Sequence, residues 1–184
     1  MYTIEKVLNF TEWDESISSS KYNNIFFKSF FFKYLKSKID LKYIKKGNTI
    51  KAGFFLVTDI NKKTIYDDDV TIHSGLIFFS DKNQILSAEN IEVFNIINYF
   101  VDYVSSNYSS INFSTISNFP DLRPFQWYNY NKEGPKFKIE PRYTSILNIS
   151  DLVEKHFEGQ TYKNMSTLRK RLLRKGLKLE PQFK

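Results

Sequence analysis

Residues 120–130 place one arginine among several aromatic side chains. They read PDLRPFQWYNY, so Arg123 lies close in sequence to Trp127 and Tyr128. A guanidinium can hold a carboxylate or a phosphate through two parallel hydrogen bonds, while neighbouring rings wall the pocket. The segment is therefore a candidate site for an anionic group. The alternative is structural: Phe125 and Trp127 pack beneath a loop, and Arg123 pairs with a local acid such as Asp121.

The last 24 residues are a second candidate, because they are strongly basic. Residues 161–184 hold eight Lys/Arg and one Glu, whereas the preceding 160 residues hold 19 Lys/Arg and 19 Asp/Glu. The whole net charge of +7 therefore lies in this segment. An apolar stripe predicts a helix here, flanked by the candidate polyanion-binding residues Arg169, Arg171, Arg174 and Lys175. The alternatives are a solvated basic face, a phosphate-bearing ligand, a tRNA, an anionic membrane or an acidic partner.

His73 and the acidic run at residues 67–69 are weaker candidates. Histidine titrates near neutral pH and can carry protons, so His73 is a candidate substrate-binding residue, with a hydrogen-bonded structural histidine as the alternative. The three consecutive aspartates lack the alternating spacing of a calcium loop and predict a solvated turn. No metal site is expected. With no cysteine in the chain, disulfides, thiolate nucleophiles and cysteine-bound zinc are excluded.

No phosphate-binding glycine turn is found in the sequence. Acetyl-CoA-dependent GNAT enzymes hold the pyrophosphate on a Q/R-x-x-G-x-G/A turn before a helix, and the nearest glycines here, Gly47, Gly53 and Gly75, are isolated. The P-loop, dinucleotide and H-E-x-x-H patterns are also missing. We therefore expect no cofactor to bind this chain by itself.

Hydropathy periodicity predicts alternating helices and strands. Residues 24–36 form a predicted helix that Asn23 or Asn24 caps, and a hairpin turns at Gly47 between strands 41–46 and 49–58. Further predicted elements are a strand at 70–79, a long helix with a stripe from Ile91 to Val104, strands at 111–116 and 137–149, a short helix within 123–130, and two C-terminal helices. This order predicts an α/β (α+β) domain with a mixed central sheet covered by helices.

Three segments together resemble the first half of a Fem-like bacterial acyltransferase with the GNAT fold. They are the RPF segment with its tryptophan at 123–127, the stretch PRYTSILNI at 141–149, and the basic helix at 169–175. The family carries an RPF segment with a tryptophan, a Y-T-x-x-L-x-L/I strand and an Arg/Lys-rich helix in this order. The resemblance runs from about Trp13 to the last residue.

The resemblance implies transfer of an acyl or aminoacyl group to an amine. The donor would be an acyl-CoA or an aminoacyl-tRNA, held mainly by a second GNAT-like half or by another copy of the chain. Residues 1–160 would form a GNAT-like domain and 161–184 a basic helix leading to the second half. This half would bind an anionic small molecule or a cell-wall precursor, with Arg123, Trp127, Tyr128, Arg142 and Tyr143 as wall residues. The alternative function is a non-catalytic module that binds nucleic acid, an acidic partner or a second subunit through its basic helix.

Composition favours a cytoplasmic location. The N-terminus lacks the basic and apolar regions of a signal peptide, and cysteine is missing. The apolar runs are short and interrupted by lysine, whereas a spanning helix needs about 20 apolar residues. We therefore expect no transmembrane segment.

Overall fold

The computed structural model describes residues 1–35, 37–79 and 86–143, together with Thr167. The chain divides into two units, Met1–Pro141 and Arg142–Lys184, and all elements given below belong to the first. The predicted domain boundary after residue 160 lies outside the described residues. So do the predicted C-terminal helices and the four candidate polyanion-binding residues, Arg169, Arg171, Arg174 and Lys175.

A six-stranded mixed sheet forms the centre of the first unit. Its strands are β1 (Tyr2–Lys6), β2 (Lys38–Lys46), β3 (Thr49–Thr58), β4 (Thr64–Ile65), β5 (Gly75–Phe78) and β6 (Ser110–Ile111). The hydrogen-bonded order is β1-β2-β3-β4-β6, and β5 also pairs with β3. All pairs are antiparallel except β4 with β6. The predicted mixed α/β content with a central sheet is confirmed at this level.

The helices are short except for one. They are α1 (Phe10–Ser19), a 3₁₀ turn (Ile25–Phe27), α2 (Ser29–Phe32), α3 (Leu86–Asn107) and α4 (Arg123–Trp127). Asn24, one of the two caps predicted for a longer helix, caps the 3₁₀ turn instead, since its side chain accepts a hydrogen bond from the backbone N–H of Phe26 at 3.0 Å. Within the described residues, no helix combines the length and apolar character that crossing a bilayer requires.

The hairpin at Gly47 forms as predicted. β2 and β3 pair along their length, and Gly47 adopts a φ of +59° in the connecting turn. Such a positive φ costs glycine little because it has no Cβ, so this residue favours the tight turn.

Several predicted elements are shorter than their sequence patterns suggest. The helix expected over 24–36 is broken at Lys28, whose backbone is extended with ψ at 139°. The strand expected over 70–79 begins only at Gly75, because Asp68 binds the backbone N–H groups of Val70 and Thr71 and holds them in a turn. The strand expected at 111–116 is limited to Ser110–Ile111, and residues 137–143 form no strand.

Helices cover both faces of the sheet. Successive strand residues point to opposite sides, so each face carries its own apolar cluster for a helix to cover. On one face, Trp13 of α1 packs with a cluster that includes Phe55 of β3. Gly53 makes room for this ring, since a Cβ there would lie 2.4 Å from Trp13. On the other face, α3 packs on Phe54 through Phe100, with ring centroids 5.2 Å apart. The α3 stripe begins later than predicted, because Ile91 is 65% exposed.

Candidate functional site

The short helix α4 is anchored in the domain core by the buried ring of Phe125. Pro124 stands in its first turn, where the missing N–H is no loss. Phe125 is buried and packs against rings from several segments, namely Phe100, Phe113, Phe119 and Phe137. Two residues later, Trp127 is rotated about 200° around the helix axis and is 55% exposed. Burial of Phe125 therefore holds the opposite side of α4 toward solvent.

Arg123 is paired with Asp121 through one edge of the guanidinium, which Nε and Nη2 form. Its Nε lies 3.0 Å from each carboxylate oxygen, and its Nη2 lies 2.6 Å from Oδ2. Asp121 Oδ1 also accepts the backbone N–H of Arg123 at 2.9 Å. The structure thus contains the ion pair named as the alternative to ligand binding, while Trp127 is not packed beneath a loop.

The guanidinium of Arg123 also lies against two aromatic rings. Its Cζ is 5.2 Å from the ring centre of Phe94 and 5.6 Å from that of Trp127. Arg123 and Trp127 are four residues apart on α4, so they share one face of the helix. The Phe94 and Trp127 rings meet at 5.8 Å in an edge-to-face arrangement. We call these four residues, Phe94, Asp121, Arg123 and Trp127, the Arg123 surface.

The guanidinium of the Arg123 surface keeps N–H donors that no described residue accepts. Nε and Nη2 bind Asp121, whereas Nη1 has no hydrogen bond within the described part of the chain. The Arg123 side chain is 56% exposed, against 14% for Asp121. Because five N–H groups radiate from a guanidinium in a fixed plane, the remaining donors can meet an oxygen from solution. The orientation of that plane is already set by Asp121 and two rings.

The ion pair changes the titration of both partners. The hydrogen bonds from Arg123 lower the pKa of the Asp121 carboxyl below its usual value. The hydrogen bond with Asp121 raises the pKa of Arg123. Both groups therefore stay charged throughout the neutral range, and the surface keeps one cation and one anion side by side.

Of the other predicted wall residues, only Tyr128 lies in the first unit. Tyr128 is half-buried and packs on Phe137, with ring centres 5.5 Å apart. Arg142 and Tyr143 belong to the second unit, where both are exposed. Their predicted role in binding stays a prediction.

His73 lies in the loop before β5 rather than on a strand. Its Nδ1 is 2.8 Å from the carbonyl oxygen of Thr115, and its ring meets Phe26 edge to face at 5.9 Å. A carbonyl only accepts, so Nδ1 carries the proton and Nε2 of the neutral ring is left as an acceptor. His73 is therefore the hydrogen-bonded histidine of the structural alternative.

The acidic run at 67–69 is tied into the same loop. Asp67 accepts a hydrogen bond from Ser114 Oγ at 2.8 Å, and Asp68 accepts one from the N–H of Val70 at 2.9 Å. Asp69 is exposed. Among the described residues, no three His, Cys, Asp or Glu side chains gather as a group that could hold a metal ion.

A buried charged cluster lies between β2 and α3 and was missed by the sequence analysis. Asp40 is 7% exposed and accepts hydrogen bonds from the hydroxyls of Tyr108 at 2.6 Å and Tyr103 at 3.2 Å. Lys42 Nζ lies 3.1 Å from the same carboxylate and also bonds Tyr103. Burial, followed by the hydrogen bond to Asp40, raises the pKa of Tyr108 well above its usual value. The only sequence signal is that Asp40 is the single acidic residue in a strand whose other charged residues are all lysines.

Comparison of the chain with protein-family models, with curated proteins and with solved structures finds no match. The Fem-like resemblance therefore rests on the three sequence segments.

Proposed function

We propose that this chain provides the acceptor-binding side of a Fem-like acyl or aminoacyl transfer, on a GNAT-like half-domain. One observation carries the proposal: the Arg123 guanidinium is held in a fixed plane by Asp121, Phe94 and Trp127, yet keeps an exposed edge. The RPF segment on which the sequence resemblance rests is the same segment that forms this surface. Its residues are therefore the ones that we assign to the acceptor.

The acceptor in this proposal is a molecule with both an amine and a carboxylate or phosphate. Arg123 binds the anionic group through its outer N–H donors, and the exposed face of Trp127 covers the apolar part of the molecule. Binding away from the reacting atom directs the amine toward the acyl carbon. Such positioning can lower the reaction barrier by several kcal/mol, because the translational and rotational freedom of the acceptor is already lost on binding, before the chemical step.

The transfer itself requires an activated donor, which is an acyl-CoA thioester or an aminoacyl-tRNA in this proposal. A second GNAT-like half or another copy of the chain supplies that site. The sequence has no glycine-rich pyrophosphate turn, so we expect that the chain alone does not bind acetyl-CoA with micromolar affinity. Calorimetric titration with acetyl-CoA measures this directly, and saturation in the micromolar range would contradict it.

The acceptor proposal is tested by calorimetry with a matched peptide pair. The probe is a short peptide with a lysine side-chain amine and a free C-terminal carboxylate, and the control is the same peptide with an amidated C-terminus. We expect the free acid to bind at least about tenfold more tightly, since the charged hydrogen bonds to Arg123 are worth about 1.5–3 kcal/mol. Equal affinity for both peptides, or no binding of either, would contradict the proposal.

The second candidate is a binding module that performs no chemistry. It is favoured by the charge distribution, because residues 161–184 hold the entire net charge of +7. Binding to a tRNA would then depend on Arg169, Arg171, Arg174 and Lys175, and would weaken steeply with salt as counterions are released. A fourfold alanine variant at these positions separates the candidates, because it should lose tRNA binding and keep the binding of the peptide acid.

A further inference from the structure

The chain carries a second exposed aromatic region, formed by the 3₁₀ turn, α2 and the residues after it. Ile25, Phe30 and Tyr34 are 56%, 49% and 58% exposed. Phe31 is half-buried and meets both Phe30 and Tyr34 edge to face, at 6.2 and 6.4 Å. Three rings are therefore in contact, of which Phe30 and Tyr34 are exposed and Phe31 is partly buried. We call Ile25, Phe30, Phe31 and Tyr34 the aromatic ridge.

Lysine is the only charged residue type in the segment that bears the ridge. Residues 21–39 include five lysines and no aspartate or glutamate. Lys33 and Lys38 are exposed, and Lys33 Nζ lies 5.0 Å from the ring centre of Tyr34. Positive charge therefore stands directly beside the exposed rings.

Three carboxylates contact the described part of this segment: Glu89 pairs with Lys21 at its start, and Asp14 and Asp68 accept hydrogen bonds from it. Asp14 accepts from the backbone N–H of Ser29 at 2.7 Å and from its hydroxyl at 2.6 Å. Asp68 accepts from the hydroxyl of Ser37 at 3.4 Å and from Val70. All three carboxylates are half-buried and already paired, whereas Phe30 and Tyr34 are exposed.

We propose that the aromatic ridge binds the surface of an anionic lipid bilayer. Aromatic side chains are favoured at the level of the lipid headgroups, where a ring can leave water while polar groups stay hydrated. Lysines close to such a surface are attracted to anionic headgroups. The ridge combines both features on one exposed segment and needs no membrane-spanning helix.

The interleaved lysines favour a bilayer over a protein partner. Protein–protein interface cores are enriched in aromatic residues but depleted in lysine, because a desolvated ammonium needs a matching acid. A bilayer accepts the same side chains without that match, since the stems lie along the apolar layer and the ammonium groups reach the headgroups. This inference does not depend on the proposed transferase activity.

The test is co-sedimentation of the full chain with phosphatidylcholine vesicles, with and without phosphatidylglycerol. We expect binding to the anionic vesicles and little binding to pure phosphatidylcholine. Phe30→Ser with Tyr34→Ser should weaken binding about tenfold or more, because it removes the apolar contact. Lys33→Gln with Lys38→Gln should weaken it about tenfold or more through the loss of charge.

Control variants separate the ridge from other surfaces. Ile60→Ser with Ile91→Ser removes two apolar side chains that are 74% and 65% exposed outside the segment, and should leave vesicle binding unchanged. The fourfold alanine variant at Arg169, Arg171, Arg174 and Lys175 should keep a component of binding that depends on Phe30 and Tyr34. Thermal melts show whether each variant is folded. Unchanged binding by a folded Phe30→Ser/Tyr34→Ser variant, or no binding by the wild type, would overturn the proposal.

Discussion

Two clusters in this chain combine a carboxylate, a cation and aromatic rings, yet they differ in burial. In the buried cluster, Asp40 is 7% exposed and accepts from two tyrosine hydroxyls, with Lys42 beside it. In the Arg123 surface, the cation is 56% exposed and keeps donors that no described residue accepts. The same chemical groups therefore stabilise the fold in one place and can meet a ligand in the other.

The difference follows from what each group would lose without its partners. A buried carboxylate without hydrogen bonds bears the full cost of its desolvation, so its partners contribute strongly to stability. An exposed ion pair exchanges protein contacts for water at little cost. Substitutions in the two clusters should therefore affect stability very differently, and only those in the Arg123 surface should affect binding.

The largest effect is expected from Asp40→Ala. This change leaves the hydroxyl of Tyr108 buried without an acceptor and leaves Lys42 without its carboxylate. We expect a loss of about 3 kcal/mol in the free energy of unfolding, measured by urea titration. A loss below about 1 kcal/mol, the usual upper limit for an exposed ion pair, would contradict the difference between the two clusters.

The next effect concerns alkaline pH and Tyr108. Burial and the bond to Asp40 raise the folded-state pKa of Tyr108, so its contribution to stability is full below its unfolded pKa of about 10 and is lost as pH rises above that value. Above about pH 10, the stability of the wild type should therefore fall more steeply than that of Tyr108→Phe, by up to about 1.4 kcal/mol per pH unit. Urea titrations of both proteins across this range measure the difference. Parallel pH profiles would show that the Tyr108 hydroxyl is not held as described.

The smallest effect on stability is expected from Asp121→Asn. The carboxyl pKa of Asp121 is lowered by Arg123, so any contribution of the pair is present at neutral pH and is lost as pH falls through the folded-state pKa. Since Arg123 is largely exposed, we expect a shift of the thermal midpoint well below that of Asp40→Ala. A shift as large as that of Asp40→Ala would mean that the Arg123 surface is a structural cluster after all.

The central hairpin and the contacts between residues close in sequence could be predicted, because local signals determine them. The turn at Gly47 follows from a residue that tolerates positive φ. Two neighbours of Arg123 could also be predicted. Asp121 lies two residues before it, and Trp127 lies about one helical turn after it. Helix α1 was not predicted, because its polar sequence buries only Trp13 and Ile17.

Features that depend on distant contacts could not be predicted from periodicity. Asp40 and Tyr108 are 68 residues apart, and nothing local links their side chains. The parallel pairing of β4 with β6 is likewise set by the path of α3 between them. Phe94 is joined to Arg123 only through the packing of α3 on α4, so the second ring of the surface was missed.

The most direct test of the account replaces the guanidinium but keeps its charge. Trp127 is exposed while Trp13 is fully buried, so quenching of the exposed tryptophan by binding can be followed in the wild type and in Arg123→Lys. The ligand is the lysine-containing peptide with a free C-terminal carboxylate. We predict that Arg123→Lys keeps the thermal midpoint but binds the peptide about tenfold more weakly, because an ammonium lacks the planar pair of donors. Equal affinity in the two proteins would contradict the assignment of the Arg123 surface as the acceptor site.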